Sequence, residues 1–294
     1  MTKDDVTPVL YQHLDIFNIN DKKTLTTIKT DLDGFFSYVE QAIKYETFSI
    51  LMAYLEWLVS RLKQQNIKTP LIEQYLIALT KDLLKINNHP YVKKIQTINP
   101  DKVHFSSYIK ESNPHKDTVL AYIDALLNQD QEKAQKLIMA LKGKETIKTI
   151  YEQVFQVTLY EIGYMWQIGK IGVASEHYIT AFTQFMMSQF YDELFSTDKD
   201  NKYLIAAAVG NEIHEIGIRM IADMFEFEGW HTTYLGSNLP ESELIDYLTH
   251  HPVDVVALSI TMPNHLELLE SFIKAIKAHE KLKHVKIIVG GQPF

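Results

Sequence analysis

Residues 203–217 read YLIAAAVGNEIHEIG. The stretch Tyr203–Val209 is apolar without alternation, which suits a strand buried on both faces of a sheet. It breaks at Gly210, and a helical period begins at Gly217 and runs to about Glu228. Further along the chain, strands are expected at His231–Leu235, Val253–Ser259 and Val285–Val289. Helices are expected at Glu241–His250 and at about His265–His279. Strands alternating with helices indicate a doubly wound parallel sheet. Such sheets bind ligands at the carboxyl ends of their strands.

Upstream of the polar run STDKDNK at 196–202 the pattern changes to helix alone. Residues 117–195 contain no proline, and four helical stretches fit at about 117–128, 130–142, 145–168 and 173–195, punctuated by Gly143, Gly169 and Gly172. Short connections make neighbouring helices antiparallel, so a four-helix bundle is expected. From Asp31 to about Asn87 the spacing is again helical: Phe35, Phe36, Val39, Ala42 and Ile43, then Leu51, Tyr54, Leu55, Leu58 and Leu62. Thr69 is expected to cap a further helix, with Pro70 in its first turn. Residues 88–116, with Pro90, Pro100 and Pro114, read as a linker with short helical pieces, and residues 1–30 as at best partly ordered. The expected organisation is an N-terminal helical region over 1–116, a four-helix bundle over 117–196 and a flavodoxin-like α/β domain over 197–294. Only four strands fit before Phe294. A sheet of this type usually has a fifth strand and a closing helix, so the α/β domain is expected to be truncated at its C-terminus.

Composition narrows the function. The chain has 294 residues, 46% of them hydrophobic and 22% charged, with a formal net charge of -8. That balance, without a Lys/Arg cluster, argues against nucleic acid as a partner. Cysteine is absent, which excludes a disulfide scaffold, a thiolate metal site and a cysteine nucleophile. No apolar run reaches about 18 residues, the length of a membrane-spanning helix. The start, MTKDDVTPVL, is too acidic and polar for a signal peptide. A cytoplasmic protein without a membrane partner is expected; a homo-oligomer is compatible with the sequence.

The chemistry is concentrated in the loop after the first strand. His214 projects there toward the ligand edge, and Glu212, two residues earlier, is placed to accept a hydrogen bond from one imidazole nitrogen. Metal-bound histidines commonly have such a carboxylate, which fixes the tautomer. Alone, Glu-x-His-x-x-Gly ending at Gly217 is equally the pattern of a solvated loop histidine. Two further groups stand at strand ends: Ser259-Ile260-Thr261 after the third strand and Gly290-Gly291 after the fourth. Together with Leu235-Gly236-Ser237-Asn238-Leu239-Pro240 after the second strand, this pattern resembles the cobalamin-binding family over roughly residues 117–294, with Thr261 where that family often has leucine. The resemblance implies that His214 is the lower axial ligand to cobalt. It also implies that Ser259 faces the buried dimethylbenzimidazole tail and that Gly290 and Gly291 leave room for it.

A second group lies in the helical segment, WQIGKIGVASEH at 166–177. Trp166 ends the third bundle helix, while Glu176 and His177 start the fourth, so antiparallel packing is expected to bring them to one rim of the bundle. The bland reading is a core tryptophan beside a capping pair. The spacing is similar to that of the cobalamin-dependent photoreceptors. That likeness implies adenosylcobalamin as cofactor, with Trp166 and Glu176 around its adenosyl group and His177 as an upper cobalt ligand after light. It also implies a light sensor acting through a signalling protein partner, with a bilin beside the cobalamin as a variant. The basic winged helix of that family's best-known members has no counterpart in residues 1–116. The main alternative is a corrinoid methyl carrier serving a methyltransferase. Such carriers typically show Asp-x-His-x-x-Gly where this chain has Glu212, and need an open upper face that Trp166 would obstruct. A cobalamin-dependent mutase subunit would need a substrate barrel that nothing here provides.

Overall fold

The computed structural model describes residues 2–194 and 198–293, and it divides into two compact units. The first comprises residues 1–107 and 164–172, the second residues 108–163 and 173–294. The polar run at 196–202 lies partly outside the described residues.

The first unit is helical: α1 (Lys3–Gln12), α2 (Lys22–Leu32), α3 (Phe35–Lys44), α4 (Phe48–Gln64), α5 (Thr69–Ile86) and α6 (Pro90–Lys94). Residues 2–30 are thus ordered, contrary to the expectation for 1–30. A capping box starts α1, in which the Asp5 N–H donates to Thr2 Oγ1 and the Thr2 N–H to Asp5 Oδ2. This satisfies amide groups that would otherwise fray. Val6, Leu10, Leu14 and Phe17 bury one stripe, and the buried Tyr75 hydroxyl of α5 donates to the Leu10 carbonyl at 2.9 Å. The acidic and polar residues between those apolar positions obscure the stripe when composition alone is read. Thr69 is the first helical residue rather than the cap; Lys68 occupies the cap position without a side-chain bond, and Pro70 sits in the first turn. The segment 164–172 belongs to this unit. The Arg61 guanidinium lies 5.9 Å from the Trp166 ring centre, and the Tyr164 hydroxyl donates to the Phe105 carbonyl.

The second unit opens with the helices α7 (Lys116–Leu127), α8 (Gln131–Met139), α9 (Ile147–Ile150), α10 (Gln156–Gln167, whose residues 164–167 belong to the first unit), α11 (Val173–Ser188) and the short α12 (Tyr191–Leu194). A π-helical turn at Tyr151–Phe155 joins α9 to α10. Tyr122, Tyr151, Phe155 and Phe190 are fully buried, with ring centres 5.7–6.5 Å apart in the pairs they form.

The α/β part follows: β1 (Tyr203–Ala208), α13 (Ile216–Phe227), β2 (His231–Tyr234), α14 (Glu241–His250), β3 (Val255–Ser259), α15 (Leu266–Ala278) and β4 (Lys286–Gly290). The four strands are parallel in the order β2-β1-β3-β4. Helix α13 covers one face, over Leu204, Ala206, Ala208, Val255 and Ala257. Helices α14 and α15 cover the other, over Ile205, Ala207, Val256 and Leu258. Burial on both faces accounts for the unbroken apolar runs. The edge strand β4 leaves Ile288 and Val289 each 41% exposed.

Bundle and sheet meet through polar side chains. The Tyr151 hydroxyl, at the π turn, donates to the buried Asp223 Oδ2 at 2.9 Å, and Arg219 Nη2 donates to the Tyr191 hydroxyl at 2.7 Å. Burial pushes the Asp223 carboxyl up to about 6, against the opposing effects of Tyr151 and Arg219. No helix among the described residues is long and apolar enough to cross a membrane.

Candidate functional site

The strand order reverses between β1 and β3, because β2 lies to one side of β1 and β3 to the other. The loops leaving those two strands diverge onto opposite faces and open the crevice in which doubly wound sheets hold ligands. The loop after β1 carries Gly210 to Glu215. Gly210 has φ +71°, and a Cβ there would stand 2.8 Å from Leu268 Cδ2. The left-handed backbone favours glycine, and a larger residue would also have to push the Leu268 methyl aside.

Glu212 organises the crevice. Its side chain is 1% exposed and accepts four hydrogen bonds. Oε1 takes the His214 backbone N–H at 3.1 Å and the His214 Nδ1 at 2.5 Å. Oε2 takes the N–H groups of Thr261 at 2.7 Å and Met262 at 3.0 Å, both in the loop after β3. One carboxylate therefore staples the two crevice loops and orients the imidazole. Burial alone would raise this carboxyl, but the His214 ring and the backbone N–H groups outweigh it and hold it well below the ordinary carboxylate range. In return, the bond to Glu212 raises the His214 imidazole above its ordinary value. Burial opposes the rise, while the charges of Glu212 and Glu176 add to it.

The donor set fits a corrinoid. With Nδ1 committed to Glu212, His214 keeps Nε2 for a metal, and its side chain remains 53% exposed at the ligand edge. Among the described residues no group of three or more His, Cys, Asp or Glu side chains is arranged to hold a metal ion. A single imidazole is the complement of a metal that arrives in its own macrocycle. Across the sheet, Ala208, Ser259 and Gly290 stand in register on adjacent strands, a row of small side chains at the carboxyl end. A Cβ on Gly290 would meet nothing within 4 Å, whereas one on Gly291, at φ +113°, would fall 1.7 Å from the Ile260 carbonyl oxygen. Gly290 thus leaves open space, and Gly291 permits a close backbone approach. A Cβ on Gly217, in the first turn of α13, also meets nothing within 4 Å.

Of the other residues singled out from sequence, Glu176 lies close enough for its charge to act on His214. It accepts from the Thr180 hydroxyl at 2.9 Å and is joined to His177 Nδ1 at 2.6 Å. His177 is otherwise exposed. Trp166 belongs to the first unit, where Arg61 stacks over it. One residue at the site escaped the sequence reading. His265, 8% exposed, places Nε2 2.9 Å from Asn211 Oδ1 and Nδ1 3.4 Å from Glu212 Oε2. Nothing in the periodicity around Pro263 signals that pairing; it depends on the β1 and β3 loops meeting in space.

A histidine presented at the switch point of a doubly wound sheet, with a helical bundle ahead of it in the chain, defines a corrinoid-binding architecture. Residues 203–294 match the family model described as a B12 binding domain, and residues 120–191 match a second family model of that description. The chain is a cobalamin-binding domain protein. It is 20% identical over 171 residues to the dimethylamine corrinoid protein 3 of Methanosarcina acetivorans, covering 58% of this chain and 80% of that relative. The dimethylamine corrinoid protein of Methanosarcina barkeri is 20% identical over 172 residues, covering 58% and 81%. The solved structure of the Methanosarcina barkeri monomethylamine corrinoid protein superposes with a TM-score of 0.54 at 18% identity, over 61% of this chain and 86% of that one, which supports the fold.

These relatives correct the light-sensor expectation. They are named as corrinoid proteins of methylamines, and they favour the carrier alternative. The findings carry the cofactor as far as a corrinoid and do not extend to an adenosyl group, a bilin or a signalling partner. One sequence argument against a carrier also loses its basis: Glu212 performs the imidazole-orienting task expected of aspartate.

Proposed function

We propose that this protein is a corrinoid-dependent methyl carrier that presents its cofactor to a methyltransferase. In this reading residues 197–294 hold the corrinoid, residues 117–196 cap it, and the helices of 1–116 are an addition to that module. The observation that carries the proposal is the His214–Glu212 pair at the crevice, set in a segment whose relatives are named as dimethylamine corrinoid proteins. A bound corrinoid supplies a cobalt centre that accepts and gives up a methyl group. The protein's part would be to offer His214 Nε2 to the cobalt, to accommodate the cofactor's tail along Ala208, Ser259 and Gly290, and to orient the imidazole through Glu212. Glu176, whose charge reaches His214, lies on the cap side of this loop.

The test is methyl transfer from the protein loaded with methylcobalamin. The loaded protein is mixed in the dark and without oxygen with a purified methylamine-class corrinoid methyltransferase and an excess of amine as methyl acceptor, and loss of the methylcobalamin absorption is followed. Free methylcobalamin at the same concentration sets the background. Transfer faster from the protein than from the free cofactor supports the proposal, and equal rates refute it.

A further inference from the structure

At the amino edge of the sheet, opposite the crevice, a second cleft of about 320 Å³ opens between β1, β2 and the end of α14. Two stacked ring pairs line it. On the sheet, Tyr203 and His231 stand in register at the first positions of β1 and β2, with ring centres 5.0 Å apart and planes 15° from parallel. On the helix side, Tyr247 and His251 lie one turn apart, with ring centres 3.9 Å apart and planes 14° from parallel. His251 Nδ1 is tied there to the Tyr247 carbonyl at 2.8 Å. Successive strand residues point to opposite faces. Ile205 and Ala207 face α14 and α15, so Tyr203 points to that same side, with His231 beside it and Thr233 next along β2. The two ring pairs therefore form the two sides of one cleft.

The lining carries no unpaired carboxylate or ammonium. Its one acidic residue, Glu226, accepts the Thr232 N–H and hydroxyl on Oε2 and pairs through Oε1 with Lys199. The Thr233 hydroxyl, the His231 ring and His251 Nε2 make no hydrogen bond to any other described residue. We propose that this cleft binds a neutral nitrogen heteroaromatic of one or two fused rings. Aromatic walls on both sides favour a flat ligand that stacks. The free hydroxyl and imidazole nitrogens supply donors and acceptors for the polar edge of such a ring, and the lack of an unpaired charge disfavours an ion. A volume at the lower end of ligand pockets limits the size. Tyr203 opens β1 while the His214 loop follows its far end, so the cleft shares no residue with the corrinoid crevice and the proposal stands apart from the methyl-carrier reading.

The whole chain, free of cobalamin and labelled with ¹⁵N-histidine, is titrated with adenine, hypoxanthine, cytosine, nicotinamide and indole, each up to about 1 mM. Cyclohexanol, which has no flat face, is the control. Nuclear magnetic resonance follows the imidazole signals, assigned by single substitutions. At least one of the five rings should shift the signals of His231 and His251 together and saturably, while that of His214 stays in place. His231→Val removes the ring from the sheet side, and His251→Gln removes it from the helix side. Both histidines are exposed, so the fold withstands either change. Each substitution should weaken binding by about 5- to 150-fold, the scale of losing one stacked ring. The proposal is overturned if none of the five rings shifts His231 and His251, or if the rings shift His214 instead. Binding that survives either substitution undiminished, or equal shifts from cyclohexanol, overturns it as well.

Discussion

Replacing Glu212 by glutamine tests the centre of the site with the smallest change of shape. The carboxylate accepts four hydrogen bonds, two on each oxygen. Glutamine keeps one acceptor oxygen, and its amide NH₂ must then oppose the two donors on the other side. Two bonds to a charged acceptor are lost, each worth about 1.5–3 kcal/mol. Water can substitute at the half-exposed His214 ring but not at the Thr261 and Met262 amides, so the amide oxygen will turn to the latter. The expected loss of stability is then about 2–4 kcal/mol, roughly 5–15 °C in the melting temperature of a unit this size. The sign with pH follows from the lowered carboxyl: its stabilisation is complete above the ordinary value of 4.5 and is lost as pH falls through the lower folded value. The raised His214 imidazole adds stability that is complete below 6.5 and lost above its folded value, so the gap between wild type and Glu212→Gln in the cobalamin-free protein should widen as pH falls toward 6.5, stay level down to about 4.5 and close below it. Thermal melting by circular dichroism across pH measures the gap, and hydroxocobalamin titration measures the loss of histidine ligation. A variant that melts within about 1 °C of wild type and still displaces the cofactor's tail base would refute the staple.

Other consequences are separable. His214 is raised above its ordinary 6.5, so protons compete with cobalt; histidine ligation should strengthen as pH rises through that raised value and then level off, and a ligated fraction indifferent to pH would contradict it. Gly291→Ala should cost more than about 2 kcal/mol even without cofactor, from a left-handed backbone and a Cβ 1.7 Å from the Ile260 oxygen. Gly290→Ala should leave the melting temperature nearly unchanged, because its Cβ meets nothing, yet weaken cobalamin binding; equal effects of the two alanines on stability would count against these assignments. Asp223, raised from 3.8 to about 6 by burial, costs stability above that pH because the folded protein must give up a proton it holds more tightly than the unfolded chain. Asp223→Asn should accordingly gain about 2–3 kcal/mol over wild type at pH 7 and lose that advantage toward pH 4, as urea denaturation at the two pH values would reveal.

Most of the α/β domain was legible because its strands are buried on both faces and its helices are amphipathic, so each element announces its period. The strands expected at 203–209, 231–235, 253–259 and 285–289 form at 203–208, 231–234, 255–259 and 286–290. The N-terminal thirty residues were misread because Val6, Leu10 and Phe17 are diluted by charged and polar neighbours, and burial there depends on partners such as Tyr75, 65 residues away from Leu10. At the site, His214 and Glu212 were legible because they share one loop. His265 and the Thr261 and Met262 amides were not, since their part requires the β1 and β3 ends to be adjacent, a fact of strand order. The placement of Trp166 was beyond spacing arguments for the same reason: a tryptophan at a helix end says nothing about Arg61 a hundred residues earlier.

The choice of glutamate over aspartate at 212 also acquires a physical meaning. Read as a motif letter, it separated this chain from the carriers with Asp-x-His-x-x-Gly. Read in three dimensions, the task of that position is to hold the imidazole Nδ1, and either acid can do so from two residues away. The extra methylene of glutamate extends the carboxylate across the crevice, where Oε2 reaches two amides of the β3 loop while Oε1 retains His214. The longer side chain therefore makes the orientation of the ligand depend on the β3 loop as well as on its own. Any displacement of that loop is transmitted to the His214 ring through one buried carboxylate. Under the carrier role proposed above, the hold on the cofactor must change when a partner enzyme engages, and the β3 loop is the element through which such a change would reach His214.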